Sequence, residues 1–348
     1  MLTQYICWNR KKGFRQEELK RAATILKDGG LVAFPTETVY GLGGNGLQPE
    51  AAKKIYEAKG RPSDNPLILH ISKMEELEGI ASEIPDCAYP LMEAFWPGPM
   101  TLIFHKKDCV PYETTGGLET VAVRMPNHEA ARALIEQAGI PIAAPSANTS
   151  GRPSPTTAEH VREDLDGRID MIIDGGAVGI GVESTIIDLT EEVPVILRPG
   201  HITKKMLEAV IGEVHTDPGL VDETVRPKAP GMKYRHYAPK AKMIVFEGET
   251  KEVIAEINRR AAQYAKEKVG ILATDESVQQ YHYGQVLSVG SRRSQTIEQG
   301  LYRVLREFDH KGVDVILSES FSREDKGEAI MNRLLKAAGH CVVSLPNE

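Results

Sequence analysis

Two threonine hydroxyls stand beside a run of glycines in Pro35-Thr36-Glu37-Thr38-Val39-Tyr40-Gly41-Leu42-Gly43-Gly44-Asn45-Gly46, and Lys59-Gly60-Arg61-Pro62 follows one short helix later. Together these residue types can receive an anion. Glycines let backbone N–H groups approach a charged ligand, and the hydroxyls add short donors. The Lys and Arg supply countercharge, and a guanidinium fork takes phosphate or carboxylate oxygens two at a time. Arg124 lies inside an apolar strand pattern, where a buried guanidinium needs an anionic partner. That partner is either a substrate carboxylate or an internal Asp or Glu. His70 closes the apolar run Leu67-Ile68-Leu69 and is either a packed core residue or a ligand contact. Ser146 and Asn148 follow a strand pattern, where open α/β sheets place ligand contacts, although turn chemistry alone puts the same residues there.

Gly41-Leu42-Gly43-Gly44-Asn45-Gly46 matches G-x-G-x-x-G literally, but a dinucleotide site needs those glycines to join a strand directly to a helix. The strand candidate at 31–34 ends at Pro35, well before Gly41, and the next helical pattern starts only near Pro49. No G-x-x-x-x-G-K-[ST] occurs, so an ordinary P-loop is excluded as well. Glycines alone would be read as turn residues; the adjoining threonines and cations favour an anion cradle.

The elements that must position these residues alternate in the manner of an α/β fold. Helices are predicted at 17–27, 49–58, 88–95, 129–138, 158–165 and 204–210. Strands are predicted at 31–34, 67–71, 101–105, 120–125, 140–144, 171–174, 184–189 and 195–198. Several strands follow one another without a helix between them, so the first sheet should be mixed. Residues 212–240 dissolve into Asp217-Pro218-Gly219, Pro227, Pro230-Gly231 and Pro239 and read as a linker. Beyond it, strands at 243–246, 269–273, 285–289, 313–318 and 341–345 with helices between them predict a small, mostly parallel, Rossmann-like α/β domain. Ile297, Leu301, Leu305 and Phe308 there share one helical face. The reading is therefore three segments: 1–211, a linker at 212–240, and 241–348.

Composition narrows the function classes. With 348 residues and 41% hydrophobic content the chain can bury substantial cores. Its start is polar and basic, and no apolar run approaches the roughly 18 residues of a membrane span, so a soluble, cytoplasmic protein is expected. The four cysteines, Cys7, Cys87, Cys109 and Cys341, are far apart, which argues against a zinc cluster or disulfide framework. A net charge of −7 disfavours a broad electrostatic grip on nucleic acid. The basic group Arg10-Lys11-Lys12 with Arg15 is expected to be a solvated, mobile end.

Several ordered motifs carry a family resemblance: Pro35 to Asn45, Lys59-Gly60-Arg61-Pro62 with Asn65-Pro66-Leu67, Trp96-Pro97-Gly98-Pro99 with Thr101-Leu102, Val123-Arg124-Met125-Pro126, Ala144-Pro145-Ser146-Ala147-Asn148 and Ser184-Thr185. The chain resembles the YrdC-type threonylcarbamoyl-adenylate synthases. Gly231-Met232-Lys233-Tyr234-Arg235-His236-Tyr237-Ala238-Pro239 and the α/β tail are similar to the two-domain form of that family. Gly44 stands where many relatives carry Ala.

The resemblance implies a mixed-sheet YrdC-like catalytic domain and an ATP-dependent enzyme. It would join L-threonine, bicarbonate or carbon dioxide, and ATP into threonylcarbamoyl-adenylate, releasing pyrophosphate. The product would pass to a tRNA threonylcarbamoyl-transferase complex that modifies the adenosine beside the anticodon. Magnesium, carried on the ATP phosphates, is the expected cofactor; no membrane and no strong direct nucleic-acid contact is expected. Such chemistry needs positioning and charge stabilisation rather than a nucleophile with its base.

Residue by residue, the resemblance assigns Lys59, Arg61 and Asn65 to the ATP phosphates, with Lys59 and Arg61 as catalytic. It assigns Ser146, Asn148, Ser154, Thr120 and Arg198 to the nucleotide. It assigns Thr36, Thr38, Tyr40, His70, Arg124, the backbone at Ala144, and Ser184 to L-threonine. Lys233, Tyr234, Arg235, His236 and Tyr237 concentrate cations and aromatics suited to closing over a nucleotide, with Tyr237 expected to touch ATP. Two other functions compete. A carbamoyl-adenylate-forming relative would carry extra acylphosphatase and zinc-finger modules, for which this chain lacks the length and the cysteines. An RNA-binding or ribosome-associated factor without catalysis would require salt-dependent RNA binding in the absence of ATP.

Overall fold

The computed structural model describes residues 2–9, 11–218, 236–293 and 296–346. They divide into two units, one of Met1–Ser150, Ser154–Gly179 and Glu183–Tyr234, the other of Gly151–Pro153, Ile180–Val182 and Arg235–Glu348. Each is an α/β unit with its own sheet.

The first unit opens with β1 (Gln4–Cys7), α1 (Gln16–Lys27), β2 (Val32–Phe34), β3 (Gly41–Asn45), α2 (Pro49–Lys59) and β4 (Ile68–His70). It continues with α3 (Ala88–Phe95), β5 (Met100–His105), α4 (Tyr112–Thr115), β6 (Thr120–Arg124), α5 (Glu129–Ala138), β7 (Ile142–Ala143), α6 (Ala158–Leu165) and β8 (Met171–Asp174). It closes with β9 (Thr185–Asp188), β10 (Val195–Arg198), α7 (Lys204–Ile211) and β11 (His215–Thr216). The sheet runs β1-β8-β2-β3-β7-β4-β6-β5-β9-β10-β11 and is mixed, as the strand succession predicts. β4–β6 and β5–β9, for example, are parallel, while β5–β6 and β3–β7 are antiparallel.

Four elements differ from the sequence reading, of which the short helix α4 was not predicted. The polar start contains β1, which pairs in parallel with β8 from Gln4↔Met171 to Cys7↔Asp174 and buries Ile6; Tyr5, Ile6, Cys7 and Trp8 run consecutively, without the alternation with polar residues that marks a half-buried strand. His215–Thr216, inside the predicted linker, pairs with β10. The glycine run is neither a turn nor an anion cradle: Gly41–Asn45 is the wholly buried strand β3, antiparallel to β2 and β7. Its glycines serve close packing. A Cβ on Gly43 would stand 2.8 Å from Phe34 Cε1 and 2.9 Å from Ile142 Cγ2. At Gly44 the nearest atom would be Ile55 Cδ1 at 3.0 Å, a flexible end that could shift for an alanine. Just past the strand, a Cβ on Gly46 would stand 2.3 Å from Leu69 Cδ2 and 2.9 Å from the Pro141 carbonyl. Gly46→Ala is therefore expected to destabilise by about 1–3 kcal/mol, read as a thermal midpoint several degrees lower. An unchanged midpoint would show that this packing is loose.

Two apolar layers sandwich the sheet. Leu31, Ala33, Leu42, Leu69, Val123 and Leu102 face α2, α3, α6 and α7. On the other side, Val32, Phe34, Ile142 and Ile173 face α1 and α5.

The second unit comprises β12 (Lys242–Glu247), α8 (Thr250–Ala261), β13 (Val269–Ala273), β14 (Gln285–Ser288), α9 (Ile297–Lys311), β15 (Val315–Glu319), α10 (Lys326–Ala337) and β16 (Val342–Ser344). Its order is β14-β13-β15-β12-β16, and every pair is parallel. A parallel sheet needs helices on both faces. α8 packs on Ile244, Phe246 and Ile271. The intervening residue Gly270 faces the opposite way, against Phe308 of α9, and α10 packs with α9. The stripe Ile297, Leu301, Leu305 and Phe308 is buried as predicted. Among the described residues no helix is long and apolar enough to cross a membrane.

Candidate functional site

One part of the first sheet carries polar side chains on a face that its helices leave alone. Alternation puts Thr120, Ala122 and Arg124 of β6 on the same side. Their cross-strand neighbours are Ile68 and His70 on β4 (Ile68↔Ala122, His70↔Arg124) and Ile103 and Thr101 on β5 (Thr101↔Arg124). The apolar floor there, Ile68, Ile103, Ala122, Ile186 and Leu197, is built from strand residues alone. α1 and α5 cover the same side only further along, at β2, β7 and β8.

At one end of this face three of the residues assigned to threonine, His70, Arg124 and Ser184, converge. Arg124 and Glu37 form a buried ion pair with Nη2 2.7 Å from Oε1, their side chains 5% and 13% exposed. Arg124 Nε also donates to the Gly98 carbonyl at 3.3 Å. Arg124 thus has the internal acid that was one of its two possible partners. His70, buried, lies in register with Arg124, with Nδ1 3.1 Å from the Ile68 carbonyl oxygen. Burial, reinforced by the Arg124 charge, lowers its pKa to about 3, so the ring is neutral. The Ser184 and Thr101 hydroxyls are 2.7 Å apart. Arg198 donates from Nη2 to Ser184 Oγ at 3.1 Å and from Nε to the Ser184 carbonyl at 3.0 Å. Arg198, assigned to the nucleotide, therefore shares its surroundings with Ser184, assigned to threonine.

The threonines of the opening motif organise their own loop. Thr36 Oγ1 donates to the Val39 carbonyl at 2.6 Å and lies 2.9 Å from Thr38 Oγ1. Tyr40 is fully buried; its hydroxyl donates to the Gly176 carbonyl at 2.7 Å and accepts from Gly175 N–H at 3.1 Å. Burial pushes the phenol well above its usual pKa. That hydroxyl ties the loop after β8 to β3. The Ala144 N–H is bonded to the Ile68 carbonyl at 2.9 Å.

Of the two cations, Lys59 reaches the turn where Gly41 bridges to Ser146. Lys59 is buried at the C-terminus of α2, which Gly60 stops in the left-handed conformation at φ 60. Its ammonium donates to the Ser146 and Asn148 carbonyls, both at 2.5 Å. Ser146 Oγ donates to Asn148 Oδ1 at 2.6 Å. Arg61 Nη2 reaches the Asn65 and Pro66 carbonyls at 3.3 and 3.2 Å, clamping the turn that leads into β4. The Asn65 side-chain amide is buried, and neither its oxygen nor its nitrogen has a hydrogen-bond partner among the described residues. Buried amides are ordinarily bonded, and this one is an exception.

One assignment within the first unit stands apart. Thr120 lies four residues before Arg124 on β6, about 13 Å away at strand rise, half-buried and paired with His105. Tyr237 belongs to the second unit, at φ 62, its ring stacked on Tyr302 at 5.3 Å with Arg333 5.7 Å above it. Lys233, Tyr234 and Arg235 lie outside the described residues. Ser154 donates to Glu183 Oε1 at 2.5 Å.

Glu37, Thr101 and Glu183 were not singled out from the sequence. Glu37 had a signal: it is the sole charged residue between Gly30 and Gln48. For a divalent cation, the described residues offer no group of three or more His, Cys, Asp or Glu.

Residues 24–200 match the Sua5/YciO/YrdC family model, described as telomere recombination. Residues 202–339 match the model for the threonylcarbamoyl-AMP synthase C-terminal domain. The chain is 52% identical to a threonylcarbamoyl-AMP synthase of Bacillus subtilis over 328 residues, 94% of each chain. It is 50% identical to one of Pyrococcus abyssi over 340 residues, 97% of this chain and 98% of that one. A crystal structure of P. abyssi Sua5 complexed with L-threonine superposes with a TM-score of 0.92 at 48% identity, covering 99% of this chain and 100% of that one.

Proposed function

Because this chain belongs to the Sua5/YciO/YrdC family in its two-domain, threonylcarbamoyl-AMP synthase form, we propose that it condenses L-threonine, bicarbonate or carbon dioxide, and ATP into threonylcarbamoyl-AMP and pyrophosphate. It is a nucleotidyltransferase-type enzyme. The near-full-length likeness to a relative whose structure holds L-threonine carries this reading. The product would serve a tRNA threonylcarbamoyl transferase acting on the adenosine beside the anticodon, and the enzyme would work in the cytoplasm.

In this reading the threonine amine adds to carbon dioxide, loses a proton and becomes a carbamate. A carbamate oxygen attacks the α-phosphorus of ATP, and the bond to the bridging oxygen breaks, releasing pyrophosphate. No group on the protein needs to become covalently bound. Its task is to hold two anions side by side and offset their charge. Arg124, fixed by Glu37 and the Gly98 carbonyl, would take the threonine carboxylate on the rest of its fork. Neutral His70 and the Ser184 hydroxyl would line the same substrate. Lys59, Arg61 and the amide of Asn65 would meet the triphosphate, beside Ser146 and Asn148. Magnesium enters bound to the nucleotide, as part of that substrate.

The test is pyrophosphate release from purified protein with magnesium, ATP, L-threonine and bicarbonate, each omitted in turn. Release should depend on all four, and Arg61→Ala should lower it by roughly 100-fold or more. Release indifferent to L-threonine would overturn the reading.

A further inference from the structure

The proposed reaction leaves open which part of ATP Ser154 meets, and the direction of one hydrogen bond bears on it. Ser154 Oγ donates to Glu183 Oε1 at 2.5 Å. Both residues are buried, at 1% and 7% exposure. A hydroxyl has one proton and two lone pairs, whereas an ionised carboxylate has lone pairs only. The proton of this pair therefore belongs to the serine and points at the glutamate. Toward any other group Ser154 Oγ can only accept, and it makes no second hydrogen bond among the described residues.

Both partners sit on constrained backbone. Ser154 stands between Pro153 and Pro155; each ring fixes its own φ, and the residue before a proline is restricted as well. The Pro155 carbonyl accepts from the Tyr40 N–H at 2.9 Å. The chain leaving Glu183 is held at three points. The Ser184 carbonyl accepts from Arg198 Nε at 3.0 Å, the Thr185 N–H donates to the Pro99 carbonyl at 3.0 Å, and the Thr185 hydroxyl donates to the Ile202 carbonyl at 2.7 Å. Gly200 closes against the same stretch, where a Cβ would stand 2.5 Å from the Thr185 nitrogen and 2.8 Å from the Glu183 carbonyl.

An acceptor backed by a carboxylate has the wrong polarity for phosphate. Phosphate oxygens need donors and cations, which Lys59 and Arg61 would supply, and a buried negative charge beside them would repel. The groups of ATP that can donate lie at its other end. They are the ribose hydroxyls and the exocyclic amine of adenine; the ring nitrogens only accept.

We propose that Glu183 is a positioning residue that makes Ser154 an acceptor for a hydrogen-bond donor of the nucleoside, a ribose hydroxyl or the adenine amine. The assignment rests on the reaction proposed above, in which Ser154 meets the nucleotide. Its test is equilibrium binding to the full-length protein, with magnesium and without L-threonine. The probes are ATP, 2′-deoxy-ATP, 3′-deoxy-ATP, purine riboside triphosphate, which lacks the amine, and inorganic tripolyphosphate. The parent should prefer ATP by about tenfold over the analogue that lacks the bonded donor, and that analogue names the donor. In Ser154→Ala the preference should fall to about one, while tripolyphosphate binds as it does to the parent. Glu183→Leu should lose the preference too, because the serine proton can then turn toward the ligand. Glu183→Gln, whose amide oxygen still accepts that proton, should keep it. Each preference is a ratio within one variant, so a general loss of affinity cancels, and Glu183→Leu decides the matter if Ser154→Ala does not fold. A parent that binds every analogue as it binds ATP, a preference that survives in Ser154→Ala, or tripolyphosphate weakened there as much as ATP overturns the proposal. Those results leave the reaction standing; no binding of ATP at all would overturn both.

Discussion

Arg124→Ala is expected to lose stability and turnover together, by two separable routes. The substitution leaves the Glu37 carboxylate, whose side chain is 13% exposed, without its countercharge. Removing one member of a buried pair costs about 3–5 kcal/mol, a large part of the 5–15 kcal/mol that keeps a domain folded. Replacing both members by well-packed apolar residues of similar size is often close to neutral. The Glu37→Leu/Arg124→Met double variant should therefore regain most of the lost stability in urea denaturation. It should not regain pyrophosphate release, because the carboxylate of L-threonine would still lack its guanidinium. A single Arg124→Ala variant as stable as the parent would mean that water reaches Glu37 easily. Restored turnover in the double variant would remove Arg124 from substrate binding.

The second large effect is on stability in acid. His70 has its pKa lowered from 6.5 to about 3, first by burial and then by the Arg124 charge. Below pH 6.5 the unfolded chain takes up a proton that the folded chain refuses. The stability this histidine contributes is present in full above pH 6.5 and drains away as the pH falls toward 3, at about 1.4 kcal/mol per pH unit. Between pH 6.5 and 5 the loss should be roughly 2 kcal/mol. His70→Asn should flatten that part of the profile when urea midpoints are compared across it. Parallel profiles for parent and variant would show that His70 is protonated in the folded protein. The same depression keeps the ring neutral throughout the neutral range, so any pH dependence of turnover there belongs to another group.

Much of this architecture was legible because apolar runs announce it. Val269–Ala273 and Met171–Asp174 are strands with the predicted limits, and Gly60 stops α2 as a left-handed C-cap should. β3 was not legible. Strand propensity describes side chains that fit a pleated surface, and this strand is chosen for having almost none, so that Phe34, Ile142 and Leu69 can close over it. Glu37 was obscured by its neighbours: between two threonines it reads as part of a donor-rich loop, and only the fold brings it to Arg124 across 87 positions of chain. The cations of the Lys59 motif were legible as cations, but their present partners are main-chain carbonyls contributed by the turn after β7 and by the approach to β4.

The pairing of β1 with β8 has a consequence for synthesis. Gln4 sits opposite Met171, and β2 reaches the same partner through Val32↔Met171. A nascent chain emerging from the ribosome cannot finish that flank of its sheet until translation has passed Asp174. Until then its earliest hydrophobic strand has an open edge, which is when chaperones find their clients. Ribosome-stalled chains in which Asp174 is still inside the exit tunnel, and longer ones in which it has emerged, should differ sharply in protease resistance near the N-terminus.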